Sequence, residues 1–286
     1  MTAGESRDLV PGLYLVATPI GNLEDITLRA IRVLKQADLI ACEDTRQTQK
    51  LLNHFAITTR TISYHEHNEA SRAAELVERL LLGARIAVVS DAGMPAVSDP
   101  GFRLVSLAIE RGVPVVPVPG PAAFLAALVA SGMAAESFCF RGFLPPKSGA
   151  RRKELQKIID SDETQIYYEA PHRIRETLAD IAEVLGADRP VVVARELTKI
   201  HEEFLRGTVQ EVIQTLNARD EVKGETTLLI GKAPRGQSAP RSISVHERVE
   251  QIIREEKVDE KAALKKVAKE RGISKSEAYR KWQMGR

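Results

Sequence analysis

Cysteine and long apolar runs are both scarce in this sequence, and each shortage excludes a class of protein. The two cysteines, Cys42 and Cys139, are far apart and form neither a disulfide framework nor a metal-binding spacing. So few thiols are typical of a reducing compartment, which predicts a cytoplasmic protein. No apolar run is long enough to span a membrane, and residues 1–8 lack the apolar centre of a signal peptide.

Several common functional motifs are missing as well. The sequence has no Gly-x-Gly-x-x-Gly, no Walker P-loop, no serine nucleophile elbow and no zinc-ligand spacing. His65 and His67 flank Glu66, but these neighbours do not make up a complete set of metal ligands. We therefore expect no metal, and we interpret the two histidines as surface or substrate contacts.

The sequence does contain enough apolar residues for two ordinary domains and a small third one. Of its 286 residues, 43% are hydrophobic and 28% are charged, which is typical of a folded chain. The charge is uneven, because residues 241–286 hold 13 Lys+Arg against 8 Asp+Glu, whereas the other 240 residues hold 28 against 31. A basic tail on a faintly acidic body predicts contact with a polyanion.

The N-terminal part alternates short apolar runs with segments of helical periodicity. Each run ends in a polar or Gly/Pro-rich cluster, and this alternation is typical of a doubly wound parallel sheet in an α/β fold. Because the carboxyl ends of parallel strands share one edge, the clusters predict a binding rim. We assign residues 11–121 to this domain, with strands predicted at residues 13–18, 39–42, 61–64, 86–89 and 113–118.

Residues 122–233 predict a second α/β domain with a mixed sheet, because one hairpin is expected in it. Its helices are predicted to begin at His172 and Val209. Residues 147–153 predict a basic loop, in which Lys147, Arg151 and Arg152 are candidate nucleic-acid contacts. Strands are predicted at residues 138–144, 165–169, 191–196, 202–206 and 225–230.

The C-terminal part is separated by composition. Residues 234–242 are rich in Pro, Gly and Ser and predict a linker, and residues 243–286 predict a small helical domain. Gly272 and Ser274 between its last two helices are typical of a helix-turn-helix. This domain is either a module that docks on nucleic acid or a stabilising bundle with a solvated basic face. The candidate nucleic-acid contacts on its last helix are Lys275, Tyr279, Arg280 and Lys281.

The chain is organised around residues 87–101, where a short apolar strand ends in a long loop. The loop offers two carboxylates, Asp91 and Asp99, and a close backbone approach at Gly93. Its prolines and glycines favour a ligand cradle. The alternative is a tight turn in which Asp99 caps the following helix.

Acids and bases follow the strand ends of both domains, which predicts a cleft between them. Each of these side chains is also open to a simpler interpretation as a helix cap or a salt bridge. They are Glu43, Asp44, Arg46, His65, Glu66, Asn68, Asp91 and Asp99 in the first domain, and Glu169, His172, Arg173, Arg195, Glu196 and Lys199 in the second.

Six motifs, in order along the chain, resemble those of the ribosomal RNA small subunit methyltransferase I family, which belongs to the tetrapyrrole-methylase fold group. Each motif alone is weak, but six at matching spacing are specific, and the resemblance extends from about residue 13 to 231 and into the helical tail. The motifs are the segment 18–27, Cys42-Glu43-Asp44-Thr45-Arg46, the loop 90–101, Val118-Pro119-Gly120-Pro121, Glu169-Ala170-Pro171-His172-Arg173 and Gly224-Glu225-Thr226.

The resemblance implies a homodimer that uses S-adenosylmethionine to methylate a cytidine ribose 2′-hydroxyl in the decoding centre of 16S rRNA. It implies that the donor lies in the cleft, although Ala122 stands where the family often has Ser. By motif position the donor would contact Ser90, Asp91, Ala92, Gly93, Val97, Ser98, Pro119, Gly120, Ala122, Ala123, Tyr168, Glu169, Gly224, Glu225 and Thr226.

Methyl transfer to a ribose hydroxyl needs alignment of the reactants and benefits from a general base. Glu43, Glu66 and Glu169 are candidate bases, and Arg46 or Lys199 is a candidate to steady the oxygen or a phosphate. Two other functions stay open. One is methylation of a tetrapyrrole or other small acceptor, and the other is a non-enzymatic helix-turn-helix regulator that binds DNA.

Overall fold

The computed structural model of the chain describes residues 8–232, 245–270 and 274–283. The chain divides into two compact units, with the boundary after Lys232. The first unit contains two five-stranded sheets, and the second contains three helices. The predicted linker at residues 234–242 and the predicted turn at Gly272 lie outside the described residues.

The first sheet is entirely parallel, with strand order β3-β2-β4-β1-β5. Its interior strands are short and apolar because helices cover both of their faces. The predicted doubly wound parallel sheet is therefore confirmed. Its strands are β1 Gly12–Val16, β2 Leu39–Cys42, β3 Thr61–Ser63, β4 Arg85–Val89 and β5 Val115–Val118.

Helices α1 (Leu28–Gln36) and α2 (Thr45–His54) pack on one face of this sheet, and α3 (Glu69–Leu81) and α4 (Phe102–Glu110) pack on the other. Successive residues of β1 belong alternately to the two cores, as the strand period requires. The connection from β1 leads to one side of the sheet and that from β4 leads to the other. The carboxyl ends of these neighbouring strands therefore form the switch point of the sheet.

The second sheet is mixed, as predicted, with strand order β6-β7-β10-β8-β9 and a single parallel pair, β6 with β7. Helix α5 (Ala123–Ser131) covers one face. Helices α6 (Ser148–Gln156), α7 (Ile174–Leu185) and α8 (Val209–Asn217) cover the other. The strands are β6 Phe138–Phe143, β7 Thr164–Glu169, β8 Pro190–Arg195, β9 Glu203–Thr208 and β10 Thr226–Ile230.

Two predicted details of this half are wrong. Residues 147–153 are not a loop, because α6 begins at Ser148 and buries Arg151 and Leu155, four residues apart, on one face. The run of cations hid that helical spacing. Helix α7 begins at Ile174 rather than at His172, because the residues before it form a turn.

The second unit consists of α9 (Val245–Glu256), α10 (Glu260–Glu270) and α11 (Lys275–Gln283). Apolar side chains from all three helices form its core, with Trp282 among the buried residues. Ser274 Oγ accepts the Glu277 N–H at 3.2 Å, which is the predicted N-cap. Within the described ranges, no helix combines the length and the apolar character that a membrane crossing needs.

Candidate functional site

Two loops meet at the switch point of the first sheet. Thr18 N–H donates to Gly93 O at 2.9 Å, and Gly93 N–H donates to Thr18 O at 3.0 Å, which joins the loops after β1 and β4. The Thr18 hydroxyl also donates to the Ser90 carbonyl at 3.1 Å. Open α/β sheets bind their ligands at this position.

The loop after β4 has a strained backbone. Gly93 has φ +82°, and Ala96 and Ser98, which carry a Cβ, have φ +66° and +64°. Such values cost about 1–3 kcal/mol for each residue other than glycine, and they are common at binding sites. Helix α4 begins after Gly101 without a side-chain cap, so the alternative in which Asp99 caps this helix is wrong.

A cavity of about 280 Å³ opens beside this loop, between the two sheets of the first unit. Its volume is near the lower end of the range for small-molecule sites. Its walls come from the loop after β4, the start of α5 and the ends of β7 and β10. Ten of the fifteen predicted donor contacts line it, namely Ala92, Gly93, Val97, Ser98, Ala122, Ala123, Tyr168, Glu169, Glu225 and Thr226.

The other five predicted donor contacts do not line the cavity. Ser90 is buried, and its hydroxyl lies 3.3 Å from the carbonyl oxygens of Ala92 and Gly93, so it shapes the loop from behind. Gly120 lies so close to β1 that a Cβ on it would be 2.8 Å from Ala17 Cβ. These five residues are Ser90, Asp91, Pro119, Gly120 and Gly224.

The sequence did not predict the aromatic wall of the cavity, which Phe124, Phe143 and Tyr168 form. Phe124 stacks on Phe140 with ring centroids 4.6 Å apart, and Tyr168 meets Phe140 edge-on at 4.9 Å. The available signal was the Phe138-Cys139-Phe140 run, which we interpreted only as a strand. The lining residues absent from the predicted donor contacts are Ile20, Met94, Asp99, Phe124, Phe143, Ala170, Pro171, Leu197 and Thr227.

Three carboxylates form an acidic cluster beside the cavity. Asp99 lines it, and burial, together with repulsion by Glu43 and Asp91, raises the pKa of Asp99 to about 6. Burial is also the main cause that raises the pKa of Glu43 and the pKa of Asp91. The Asp91 carboxylate accepts the Asp44 N–H at 3.2 Å. A cation bound in the cavity would relieve the repulsion within this cluster.

Glu169 lines the cavity, but its carboxylate is already engaged. Oε1 accepts hydrogen bonds from Arg173 at 2.6 Å and from the Ala170 N–H at 2.8 Å, and Oε2 accepts one from the Thr177 hydroxyl at 2.7 Å. A carboxylate with these partners is poorly suited to accept a substrate proton. We therefore assign Glu169 to holding the turn after β7.

Lys199 is also engaged in ion pairs. Its Nζ lies 2.9 Å from Glu196 Oε1 and 3.1 Å from Glu225 Oε2. Glu196 Oε1 accepts the Glu225 N–H at 2.9 Å as well. Gly224 has φ +86°, and a Cβ there would lie 2.3 Å from Glu196 Cδ, so this motif needs glycine. Lys199 and Glu196 together position the start of β10 at the cavity.

Comparison with known proteins gives matches over most of the chain. The family model of tetrapyrrole (corrin/porphyrin) methylases matches residues 12–213. Ribosomal RNA small subunit methyltransferase I of Halalkalibacterium halodurans is 49% identical over 280 residues, which are 96% of each chain. The chain belongs to this family. The protein of the same name from Bacillus subtilis is 46% identical, over 93% of this chain and 92% of that one. The one from Vibrio cholerae is 52% identical, over 77% of each chain.

Solved structures share the fold of the first unit at low sequence identity. A cobalt precorrin-4 methyltransferase has a TM-score of 0.58 at 18% identity, covering 77% of this chain and 94% of that one. Uroporphyrin-III C-methyl transferase from Thermus thermophilus, complexed with S-adenyl homocysteine, has a TM-score of 0.54 at 20% identity and covers 78% and 99%. The predicted tetrapyrrole-methylase fold of this family member is therefore confirmed.

None of the four predicted catalytic residues, Glu43, Arg46, Glu66 and Lys199, lines the cavity itself, and Glu66 and Arg46 are exposed. Arg46 lies in the first turn of α2, three residues after Glu43. Glu66 lies in the turn before α3, where Asn68 Oδ1 accepts the His65 N–H at 2.9 Å. Asn68 occupies the N-cap position of α3, but its side chain does not cap that helix as predicted.

One predicted RNA contact of the first unit is wrong. The Arg151 side chain is 1% exposed, and its Nε donates to Asp180 Oδ2 at 2.6 Å, so it has no access to RNA. Arg152, on the same helix, is 40% exposed and bonds to Asp180 and Glu183 at 2.7 and 2.6 Å. Lys147 is exposed just before the helix.

The second unit exposes the four residues predicted on its last helix. Lys275, Arg280 and Lys281 are exposed, and Tyr279 is 47% exposed. Lys281 forms an ion pair with Glu277 at 2.8 Å, one turn earlier on the same helix. These side chains are accessible to a polyanion within this unit.

Proposed function

We propose that this chain transfers a methyl group from S-adenosylmethionine to the ribose 2′-hydroxyl of a decoding-centre cytidine in 16S rRNA. The cavity at the switch point carries the proposal, because residues from motifs in both sheets line it. Relatives that match nearly the whole chain and are named ribosomal RNA small subunit methyltransferase I support an rRNA acceptor.

The side chains around the cavity fit this donor. Its aromatic wall, with Phe124 and Tyr168, suits a flat purine ring. The absence of a side chain at Gly93 leaves the backbone open to close approach. Asp99 supplies negative charge for a donor that carries both a sulfonium and an ammonium group, and that positive charge would offset the repulsion between Asp99 and Glu43.

When bound, S-adenosylmethionine supplies a methyl group on positively charged sulfur, and the sulfur leaves as a neutral thioether. The protein's task is then to align the ribose oxygen with that methyl carbon and to remove the hydroxyl proton. We propose that the Glu43 carboxylate accepts this proton, because its raised pKa makes it a better base than an ordinary glutamate. Arg46, one turn along the chain, is placed to hold a neighbouring phosphate.

The other predicted partners remain part of the proposal. We propose that the protein acts in the cytoplasm as a homodimer. The proposed rRNA contacts are Lys147, Arg152, Lys275, Tyr279, Arg280 and Lys281.

Transfer of labelled methyl groups to small ribosomal subunits tests the proposal, with the label expected on one cytidine ribose of 16S rRNA. Label on a tetrapyrrole instead would support the small-acceptor alternative. Specific binding of one duplex DNA sequence without a methylated product would support the regulator. Calorimetry with S-adenosylmethionine measures donor binding separately from transfer.

A further inference from the structure

The helices on one face of the first sheet carry positive charge only. Neither α1 nor α2 contains an Asp or a Glu, and residues 45–65 as a whole contain no carboxylate. We call this surface the α1–α2 basic face, and it consists of Arg29, Arg32, Lys35, Arg46, Lys50 and Arg60.

The cations of this face follow the length of the two helices. On α1 they recur every three residues, and on α2 they are four residues apart, so each helix has one basic stripe. The opposite sides of both helices are buried in the core of the sheet. The Thr59 hydroxyl donates to Leu34 O at 2.6 Å, which ties the segment before β3 to the last turn of α1. Arg60 therefore lies beside the end of α1 that carries Lys35.

The opposite face of the same sheet shows the usual arrangement of surface charge. On α3, Glu75 pairs with Arg72 at 2.6 Å and with Arg79 at 2.8 Å. Arg111, just after α4, pairs with Glu78 at 3.6 Å. Each of these cations has a carboxylate from its own face of the sheet, so this face has no comparable surplus of positive charge.

By contrast, Arg29, Lys35 and Lys50 make no ion pair with any residue of the described ranges. Lys50 Nζ bonds only to the neutral Gln47 side chain, at 2.9 Å. Like charges one turn apart repel and destabilise a helix, so the pattern does not serve the stability of α1 or α2. A polyanion with regularly spaced charges would offset this repulsion.

We propose that the α1–α2 basic face binds the phosphate backbone of the RNA substrate, an inference that rests on the proposed function. The face starts beside the cavity, because α2 begins directly after the loop that carries Glu43 and Asp44. Phosphate contacts there would set the register and orientation of the RNA without reading its sequence. The residues around the cavity would then select the cytidine.

The test compares two triple variants that remove the same number of positive charges. Arg29→Ala, Lys35→Ala and Lys50→Ala neutralise the basic face, whereas Arg72→Ala, Arg79→Ala and Arg111→Ala neutralise the opposite face. Arg46 is left unchanged, because it has an assigned role near the reacting hydroxyl. The measurement is binding of purified 16S rRNA as a function of salt, with S-adenosylmethionine affinity from calorimetry as the control for folding.

We expect the first variant to reduce the slope of log affinity against log salt by about two to three, roughly one for each lost phosphate contact. The second variant should keep the wild-type slope, and both should keep the wild-type donor affinity. An unchanged slope in the first variant, or an equal fall in both, would overturn the inference. A wild type that binds 16S rRNA but transfers no methyl group counts against the proposed function alone.

Discussion

Carboxylates differ in their partners between the two sheets of the first unit. Beside the first sheet, Glu43, Asp91 and Asp99 make no ion pair with any described residue, and burial raises the pKa of each. In the second sheet, bonds from Arg219 and Arg195 lower the pKa of Glu203 to about 2.

Carboxylates with an arginine partner and carboxylates without one therefore have different uses in this protein. A carboxylate that is paired with arginine fixes the positions of the elements it joins, and it has little capacity left for a ligand. A half-buried carboxylate without a cation is unfavourable until a positively charged ligand arrives. We therefore propose that the first sheet supplies the groups that bind and react, while the second supplies a rigid wall.

The largest effect is expected from Glu43→Gln, which removes the proposed base from the unpaired cluster. Single-turnover methylation of small ribosomal subunits should slow by roughly 10²–10⁴-fold, since that is the usual contribution of a general base. Donor affinity, measured by calorimetry, should stay the same. Glu66→Gln is the matched control and should keep the wild-type rate; the reverse result would assign the base to Glu66.

A paired carboxylate should behave in the opposite way and affect folding rather than catalysis. Asp180→Ala removes the closest carboxylate of the buried Arg151 guanidinium, which should lower the free energy of unfolding by about 3–5 kcal/mol. Urea denaturation measures this loss. Glu183→Ala removes an exposed partner of Arg152 and should cost less than about 1 kcal/mol. Equal losses in the two variants would show that burial of the pair is not what matters.

Asp99→Asn should weaken donor binding and strengthen folding at once. Loss of a charged contact costs about 1.5–3 kcal/mol, which is roughly a 10–100-fold loss of S-adenosylmethionine affinity. Because the pKa of Asp99 is raised to about 6, the folded state holds its proton more tightly than the unfolded state does. The stability of the ligand-free protein therefore falls as the pH rises from the ordinary pKa of 3.8 to about 6, and the variant should gain about 1–2 kcal/mol at pH 7.

The pH dependence of the wild-type protein tests the direction of both effects. Lowering the pH from 7 to 5 should raise the stability of the ligand-free protein and reduce its donor affinity, because both follow protonation of Asp99. The Asn variant should lose most of this pH dependence. A wild type whose donor affinity is constant over this range would remove Asp99 from the donor site.

The smallest effect is expected in the second unit, where one exposed lysine is paired with a carboxylate and another, within the described ranges, is not. Lys275 is exposed without an ion pair among the described residues, whereas Lys281 already pairs with Glu277. Lys275→Ala should lower the salt slope of rRNA binding by about one, and Lys281→Ala by less. Filter binding at several salt concentrations distinguishes the two. Equal slopes in both variants and the wild type would favour the stabilising bundle over the docking module.

The sequence predicted the fold well because its strands are short apolar runs with clear polar ends. The run before Ser90 and the Gly224 motif led directly to two walls of the cavity. The direction of individual side chains was harder to predict from the sequence, as Arg151 shows. A run of basic residues gives no sign of which of them points into the core. The proposed role of Asp99 was also hidden, since a helix cap and a ligand contact favour the same residue at that position. Its neighbours in space, Glu43 and Phe124, are distant in sequence.

The central place of β10 in the second sheet has a consequence for the order of folding during synthesis. Strands β7 and β8 do not pair with each other, since each pairs with β10, which is the last strand of the first unit. Until residues 226–230 have left the ribosome, the second sheet exists as separate pieces with unpaired edges. At about 5–20 residues per second, the earlier strands wait several seconds for this insertion after β7 has emerged. A nascent chain therefore acquires its complete cavity only when nearly all of the first unit has been synthesised.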